Sequence, residues 1–475
     1  MYLGIDLGTS GVKVMLMDET QAVVGSATAA LTVSRPRPGW SEQAPADWIA
    51  ATRQALAELR ARHDLGAVRG VGLSGQMHGA VALDAADAVI RPAILWNDAR
   101  SAAQAARLDA DPLFRAVSGN IVFTGFTAPK LIWMAEEEPE SFARVARVLL
   151  PKDYLRLWLT GDHTAEMSDA AGTSWLDTGA RQWSDALLAA SGMRRDQMPD
   201  LVEGTEVSGW LRPALAAELG LPAGIPVAGG AGDNAATAIG AGTVAEGQGF
   251  VSLGTSGVIF AAADRYLPRP ESAVHAFCHA LPGMWHQMGV ILSASAALEW
   301  LASVTGARPA ELTADLGPLQ PPGEVAFLPY LSGERTPHND AAARGGFAGL
   351  SASTDRAALT RAVLEGVAFA LADCLAALRA AGSDPQALLA LGGGARSDYW
   401  LRAIATALDL PLLVPQDGDF GAAFGAARLG MMAATGATPA EICTPPRIAA
   451  EIAPDPALRD SFAAGLGRFR ELYRR

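Results

Sequence analysis

The sequence predicts an α/β protein made of two related halves, and three observations carry that expectation. Helix-like and strand-like segments alternate along the chain. The hexapeptide Leu7-Gly8-Thr9-Ser10-Gly11-Val12 returns as Leu253-Gly254-Thr255-Ser256-Gly257-Val258, each copy lying between two strand-like runs. The 475 residues also exceed what one hydrophobic core usually supports. Six identical residues in a Gly- and Ala-rich chain carry weight because both copies occupy the same place in a hairpin. Leu221-Pro222-Ala223-Gly224-Ile225-Pro226 has the composition of a linker, so the halves are expected to span 1–222 and 223–475.

The elements follow in order. Tyr2 to Asp6, the turn Gly8-Thr9-Ser10-Gly11, Val12 to Met17 and Ala22 to Thr28 read as a β-meander. A helix-like stretch runs from about Pro45 to His63, and Val68 to Leu73 reads as a buried strand entering the turn Ser74-Gly75-Gln76-Met77-His78-Gly79. In the second half Thr354 to Ala381 reads as one long helix, capped by Ser353 or Thr354 and ended by Gly382. Its Leu364, Val367, Leu371, Leu375 and Leu378 recur at helical spacing and are assigned to the core. A strand from Leu388 to Leu391, the turn Gly392-Gly393-Gly394-Ala395-Arg396-Ser397 and another helix follow. Glycine at such a junction lets a ligand approach the backbone closely.

Composition excludes several function classes. Glycine, proline or charge interrupts every apolar run before the roughly 18 residues that a membrane span needs. The N-terminus enters a strand directly, without the basic and apolar regions of an export signal. A soluble, cytoplasmic protein is expected. Cys278, Cys374 and Cys443 form no CxxC pair and no zinc spacing, which fits buried free thiols in a reducing compartment. A net charge of -13 without long single-sign blocks argues against a nucleic-acid surface, and Glu136-Glu137-Glu138 reads as a solvated helix end.

A Walker A loop needs a lysine after its glycines, and Lys13, Lys130 and Lys152 are the only lysines, none in that context. Gly230-Ala231-Gly232-Asp233-Asn234-Ala235 mimics a dinucleotide fingerprint, but the acidic residue expected about 20 positions later is missing. A Gly-Thr-Ser-Gly turn instead aims several N–H groups and two hydroxyls into one concavity, so two such turns suit a clamped triphosphate. Asp6, at the end of a strand before the first turn, suits Mg²⁺, which keeps much of its water and needs one or two carboxylates; the same position also suits a turn-capping aspartate. Asp233 stands where a strand gives way to a helix, placed equally for a general base and for a helix N-cap. Gln76-Met77-His78 offers amide and imidazole beside a thioether, which suits a polyol or ketose. Trp96-Asn97-Asp98-Ala99-Arg100 reads as a sugar edge or as a turn capped by Asn97. His275, His279, His286 and His338 show no metal spacing and are read as non-catalytic.

Taken together and in order, Asp6 to Gly11, Gly229 to Asn234, Leu253 to Gly257 and Gly392 to Ser397 resemble the FGGY carbohydrate kinases, as does the segment Gly125 to Trp133. The resemblance spans essentially the whole chain. It implies two ribonuclease H-like domains of the actin/Hsp70/hexokinase type, with ATP in the cleft between them. Trp40-Ser41-Glu42-Gln43, Gly75 to Gly79, Trp96-Asn97-Asp98 and Leu331 to His338 are similar to the branch that phosphorylates D-xylulose, and the Arg-Glu-containing motif of glycerol kinases is not found at Met77-His78. The resemblance implies Asp233 and Gly8 as catalytic residues, with Asp233 the general base. Gln76, Met77, His78 and Asn234 would contact the sugar, and Asp6 would belong to the magnesium site. Gly8 with Thr9, Ser10 and Gly11, and Gly254 with Thr255 and Ser256, would hold phosphates, while Gly393, Gly394 and Ala395 would lie along the adenosine. The expected partners are ATP and a small sugar, with a homodimer left open. Kinases of L-ribulose, glycerol or gluconate are the near alternatives; an actin- or Hsp70-like ATPase and a dinucleotide oxidoreductase are the remote ones.

Overall fold

A computed structural model describes residues 1–314, 316–416 and 421–474. The expected meander forms as β1 (Tyr2–Leu7), β2 (Gly11–Met17) and β3 (Val23–Ala30), each antiparallel to the next. Both faces of β1 are buried. Leu3, Ile5 and Leu7 join the core that contains Trp48, Leu56 and Leu59 of α1 (Pro45–Arg60), while Tyr2 joins the core on the opposite side. A central strand covered on two sides reads as an apolar run for this reason. Parallel to β1 runs β4 (Gly70–Gly75), with Asp6 opposite Ser74 and Leu7 opposite Gly75. After α2 (Thr127–Glu137) and α3 (Pro151–Thr160) the sheet is completed by β5 (Val207–Trp210), β6 (Pro226–Ala228) and β7 (Ala231–Gly232). Its order is β5-β6-β4-β1-β2-β3, with β7 paired to the far end of β4. The strands just beyond the 222–223 junction therefore hydrogen-bond into the first sheet. α4 (Asp233–Gly240) leads out of β7.

The second half repeats the plan. β8 (Gly249–Leu253), β9 (Gly257–Ala263), β10 (His275–Cys278), β11 (Trp285–Ile291), β12 (Leu388–Leu391), β13 (Leu412–Pro415) and β14 (Ile448–Ile452) form a sheet of order β10-β11-β9-β8-β12-β13-β14. β8 is antiparallel to β9 and parallel to β12, as β1 is antiparallel to β2 and parallel to β4. The outer strands β13 and β14 answer to β6 and β5. The repeated hexapeptide thus marks two copies of one sheet topology.

Around the second sheet lie α5 (Ser295–Thr305), α6 (Arg356–Ala380) and α7 (Asp398–Leu408). α6 buries all five residues of its predicted stripe. It starts two residues later than expected. Asp355 is the cap and accepts from the Ala358 N–H, because the Thr354 hydroxyl is already an acceptor for the Ser351 N–H. The last helix to matter for the site, α8 (Ala422–Thr435), comes from the far end of the chain yet packs on β1, β4 and α4. It comes within backbone contact: a Cβ on Gly72 would overlap the Ala426 carbonyl, and one on Gly425 would overlap the Ala236 carbonyl. No helix among the described residues is long and apolar enough to cross a membrane.

Candidate active site

Three parallel strand ends build one side of the site. β1, β4 and β7 are neighbours, with Leu7 opposite Gly75 and Gly75 opposite Gly232, so Asp6, Gln76 and Asp233 emerge along one sheet edge. Two strand spacings separate the outer pair, roughly 10 Å. Asp6 accepts a hydrogen bond from the Ser74 hydroxyl at 3.0 Å. Burial raises its carboxyl above the ordinary range, partly offset by Ser74 and the charge of Lys13. Asp233 is the first residue of α4, and Gly232 takes the cap position. Its Oδ1 accepts from the backbone N–H of Asn234 at 2.8 Å and from the Asn234 amide at 3.2 Å. Burial and then the Asp6 charge push it up to about 6. The two carboxyls, 227 positions apart (233 - 6), therefore sense each other across one cleft.

The first Gly-Thr-Ser-Gly turn is closed by Gly8 N–H to the Gly11 carbonyl and braced from outside. The Thr9 hydroxyl donates to Gln76 Oε1 and accepts from the Trp96 indole, both at 2.9 Å. Gln43 donates to the Thr9 carbonyl at 2.8 Å and accepts from Gln76 and from the Trp48 indole. The Gln76 amide is thus engaged in orienting the turn at both its oxygen and its nitrogen.

Beside Asp233 lies a cavity of about 190 Å³, lined by Gln76, Met77, His78, Asp233 and Asn234 at the edge of the first sheet and by Ser256, His275 and Arg335 around the second. His78 stands in the left-handed region at φ 69. Lys130 holds it there, donating to the His78 carbonyl at 2.7 Å and to the Gly125 carbonyl at 2.6 Å. The ring stacks on Phe126 with centroids 4.6 Å apart, and Nδ1 meets the Gly172 carbonyl at 2.8 Å. Burial, and next the Lys130 charge, lower the imidazole to about 3. A neutral ring donating from Nδ1 leaves Nε2 as an acceptor.

The second turn lies against the start of α5, where Ala294 and Ser295 donate to the carbonyls of Thr255 and Gly254. A second cavity of about 500 Å³ is lined by Thr237, Ser252, Gly392, Gly393, Ala395 and Arg396, among others. The chain passes from this cavity at Ser252 to the smaller one at Ser256 across Gly254-Thr255. Gly394 packs against the Leu253 side chain and the Trp400 ring.

Behind the catalytic edge sits a buried ionic cluster that lay outside the motifs. Lys152, Asp153, Arg156, Glu166 and Asp169 are all without side-chain exposure. Lys152 pairs with Asp153 at 2.6 Å, and Arg156 pairs with Asp153 and donates to the Gly229 carbonyl. Ser168, whose hydroxyl donates to Glu166, accepts from the Gly232 N–H at 3.0 Å. The cluster thereby grips the backbone just before β7, at Gly229, and at the strand's last residue, Gly232, immediately before Asp233.

Comparison with known proteins decides the family. The "FGGY family of carbohydrate kinases" N-terminal domain matches residues 1–240 and its C-terminal domain matches residues 249–434. The chain belongs to the FGGY carbohydrate kinases. As an FGGY kinase it uses ATP and acts on a sugar. It is 52% identical over 437 residues to a xylulose kinase of Escherichia coli, covering 91% of this chain and 90% of the relative. Among solved structures it is similar to a xyloylose kinase from Brucella ovis (63% identity, TM-score 0.98, 100% and 98% of the two chains). It also resembles a xylulose kinase from Rhodospirillum rubrum (31% identity, TM-score 0.92, 100% and 98%). The two seven-stranded sheets are accordingly the two ribonuclease H-like domains of the FGGY fold.

Sequence reasoning missed part of this FGGY kinase's cavity. His275, read as non-catalytic, and Arg335 both line it, as do Phe123, Phe126 and Phe277. The signal for Arg335 was present in the segment Leu331 to His338, and that for Phe126 in the segment Gly125 to Trp133. In the Trp96 to Arg100 cluster Trp96 lines the cavity, whereas the residue that ties the segment down is Asp98, buried against Arg100 and the Ser41 N–H, and not the exposed Asn97 expected as the cap. The three cysteines are buried and free.

Proposed function

We propose that this FGGY kinase transfers the γ-phosphoryl group of ATP to a primary hydroxyl of D-xylulose, giving D-xylulose 5-phosphate. The observation that supports it most is the cavity of about 190 Å³ in which Asp233 meets Gln76, Met77, His78 and Asn234. Similarity to relatives named xylulose kinase supports the choice of sugar.

In this reading Asp233 takes the proton of the attacking hydroxyl at its carboxylate. A base that titrates near 6 is ionised at neutral pH yet basic enough to accept it. The Asn234 N–H and amide hold the carboxylate in one orientation. His78 Nε2 accepts from a sugar hydroxyl, and Met77 packs on the carbon chain. The Gly8–Gly11 and Gly254–Ser256 turns hold phosphate oxygens, and Gly393, Gly394 and Ala395 flank the adenosine. The donor set at Asp6 fits magnesium, since one hydrogen-bonded carboxylate beside phosphate oxygens suffices for a cation that keeps its waters. Among the described residues no cluster of three or more His, Cys, Asp or Glu offers an all-protein site. When bound, magnesium would neutralise charge on the transferring phosphoryl group.

The test is ADP release by wild type and Asp233→Ala with D-xylulose, L-ribulose, glycerol, gluconate or no sugar. The expected result is turnover with D-xylulose well above every other arm, reduced in Asp233→Ala by the roughly 100- to 10,000-fold that a general base supplies. Preference for another polyol would move the substrate, and an unimpaired variant would remove Asp233 from the mechanism.

A further inference from the structure

Arg335 presents a cationic side chain to the 190 Å³ cavity. Its guanidinium lies 4.8 Å over the Phe123 ring and 3.5 Å from His275 Nε2, and no carboxylate among the described residues forms an ion pair with it. The neighbouring Glu334 does not serve. One of its oxygens accepts the backbone N–H groups of Leu292 and Arg335, and the other is buried without a partner. Burial also pushes Glu334 up to about 7, which weakens it as a counter-charge. His275 is kept neutral by burial and then by Arg335 itself, so it offers at most one long contact. A guanidinium carries five N–H donors and accepts nothing, so the partly buried Arg335 side chain brings unused donors to the cavity, and a ligand that covered them without accepting from them would leave them costly. Met77, Phe126, Phe277 and Met288 of the cavity wall cannot satisfy those donors, and its polar members Gln76, Asp233, Asn234 and Ser256 make no hydrogen bond or ion pair with Arg335 among the described residues.

We infer that Arg335 is a specificity-determining residue whose N–H groups donate to the ketone oxygen of the bound sugar. The inference rests on the D-xylulose reading and deepens it. Across the same cavity His78 Nε2 only accepts, and therefore suits a hydroxyl; Arg335 only donates, and therefore suits the sp² carbonyl oxygen, which has no proton of its own. Reduction of that carbonyl to a hydroxyl moves the oxygen out of the plane and weakens the match. The motif Gly333-Glu334-Arg335-Thr336 thereby places a substrate contact opposite the His78 side of the pocket. The Thr336 hydroxyl fixes its position by accepting from the Val290 N–H at 3.0 Å and donating to the Ala273 carbonyl at 2.9 Å.

The experiment compares kcat/KM for D-xylulose and for the two pentitols made by reducing its carbonyl, in wild type, Arg335→Met and Arg335→Lys. Urea unfolding and the KM for ATP are measured alongside. Loss of a charge-assisted hydrogen bond should lower kcat/KM for D-xylulose roughly ten- to a hundredfold in Arg335→Met, and that for the pentitols by less than about threefold. The ATP KM should not move, and Arg335→Lys should lie between. An equal loss on ketose and pentitols, or no loss on either, overturns the inference. If Arg335→Met does not fold, the same comparison in Arg335→Lys decides. Wild type with no turnover of D-xylulose would instead sink the parent reading, whatever the variants do.

Discussion

At the scale of single residues, the chemistry is set by how the protein treats its carboxylates. A general base must be ionised, so activity is expected to fall as pH drops through the Asp233 value of about 6. A kcat/KM profile against pH should show a one-proton acid limb there; a limb near 4, where ordinary carboxylates titrate, would mean that Asp233 is not the group observed. The same shift has a stability sign. The folded state binds the proton more tightly than the unfolded chain, so stability is lost as pH rises from about 4 through about 6. Asp233→Asn should therefore unfold at higher urea than wild type at pH 7.5, by about 1–3 kcal/mol, with the gain vanishing near pH 4. Stored electrostatic strain of this kind is expected where function outranks stability.

Among the elements, α8 is the piece whose position most constrains the catalytic edge. It touches β1 and β4, which carry Asp6 and Gln76, and α4, which begins with Asp233. Contact is made backbone to backbone, through Gly72 and Gly425, so no side chain can yield if a methyl group is added. Gly72→Ala should cost on the order of 1–3 kcal/mol or more in urea unfolding and should lower kcat as the strand ends separate. Wild-type stability in that variant would show that α8 is free to shift. The buried Lys152 cluster plays a matching part at β7, holding Gly229 and Gly232 through Arg156 and Ser168.

For the whole molecule, the decisive arrangement is that the sugar cavity draws its walls from both sheets and their loops: Met77, His78 and Asp233 at the edge of the first, Ser256, His275 and Arg335 around the second. Water is a competing nucleophile for the phosphoryl group, and drawing the halves together over the sugar would position the hydroxyl and restrict water. D-xylulose with a non-hydrolysable ATP analogue should reduce the radius of gyration measured by small-angle scattering, and ADP release without sugar should be far slower than with it. Equal rates with and without sugar would remove closure from the account.

Much of this was legible in the chain itself. Local rules determine the meander after Tyr2, the long helix and its buried stripe, because propensity, turn chemistry and apolar spacing act over a few residues. The repeated Leu-Gly-Thr-Ser-Gly-Val segment determined the duplication, because each copy sits in the same hairpin of its sheet. The motif set also determined the family. Only the tertiary structure decided that Asp6 and Asp233 share an edge, that Gln76 braces the turn through Thr9 and Gln43, that Asp355 caps α6, and that His275 and Arg335 reach the cavity. The α6 cap depends on which of several neighbouring polar groups is free to accept, and the other outcomes depend on strand register and on contacts between residues from 33 positions apart to well over 200, which leave no periodic trace in a sequence.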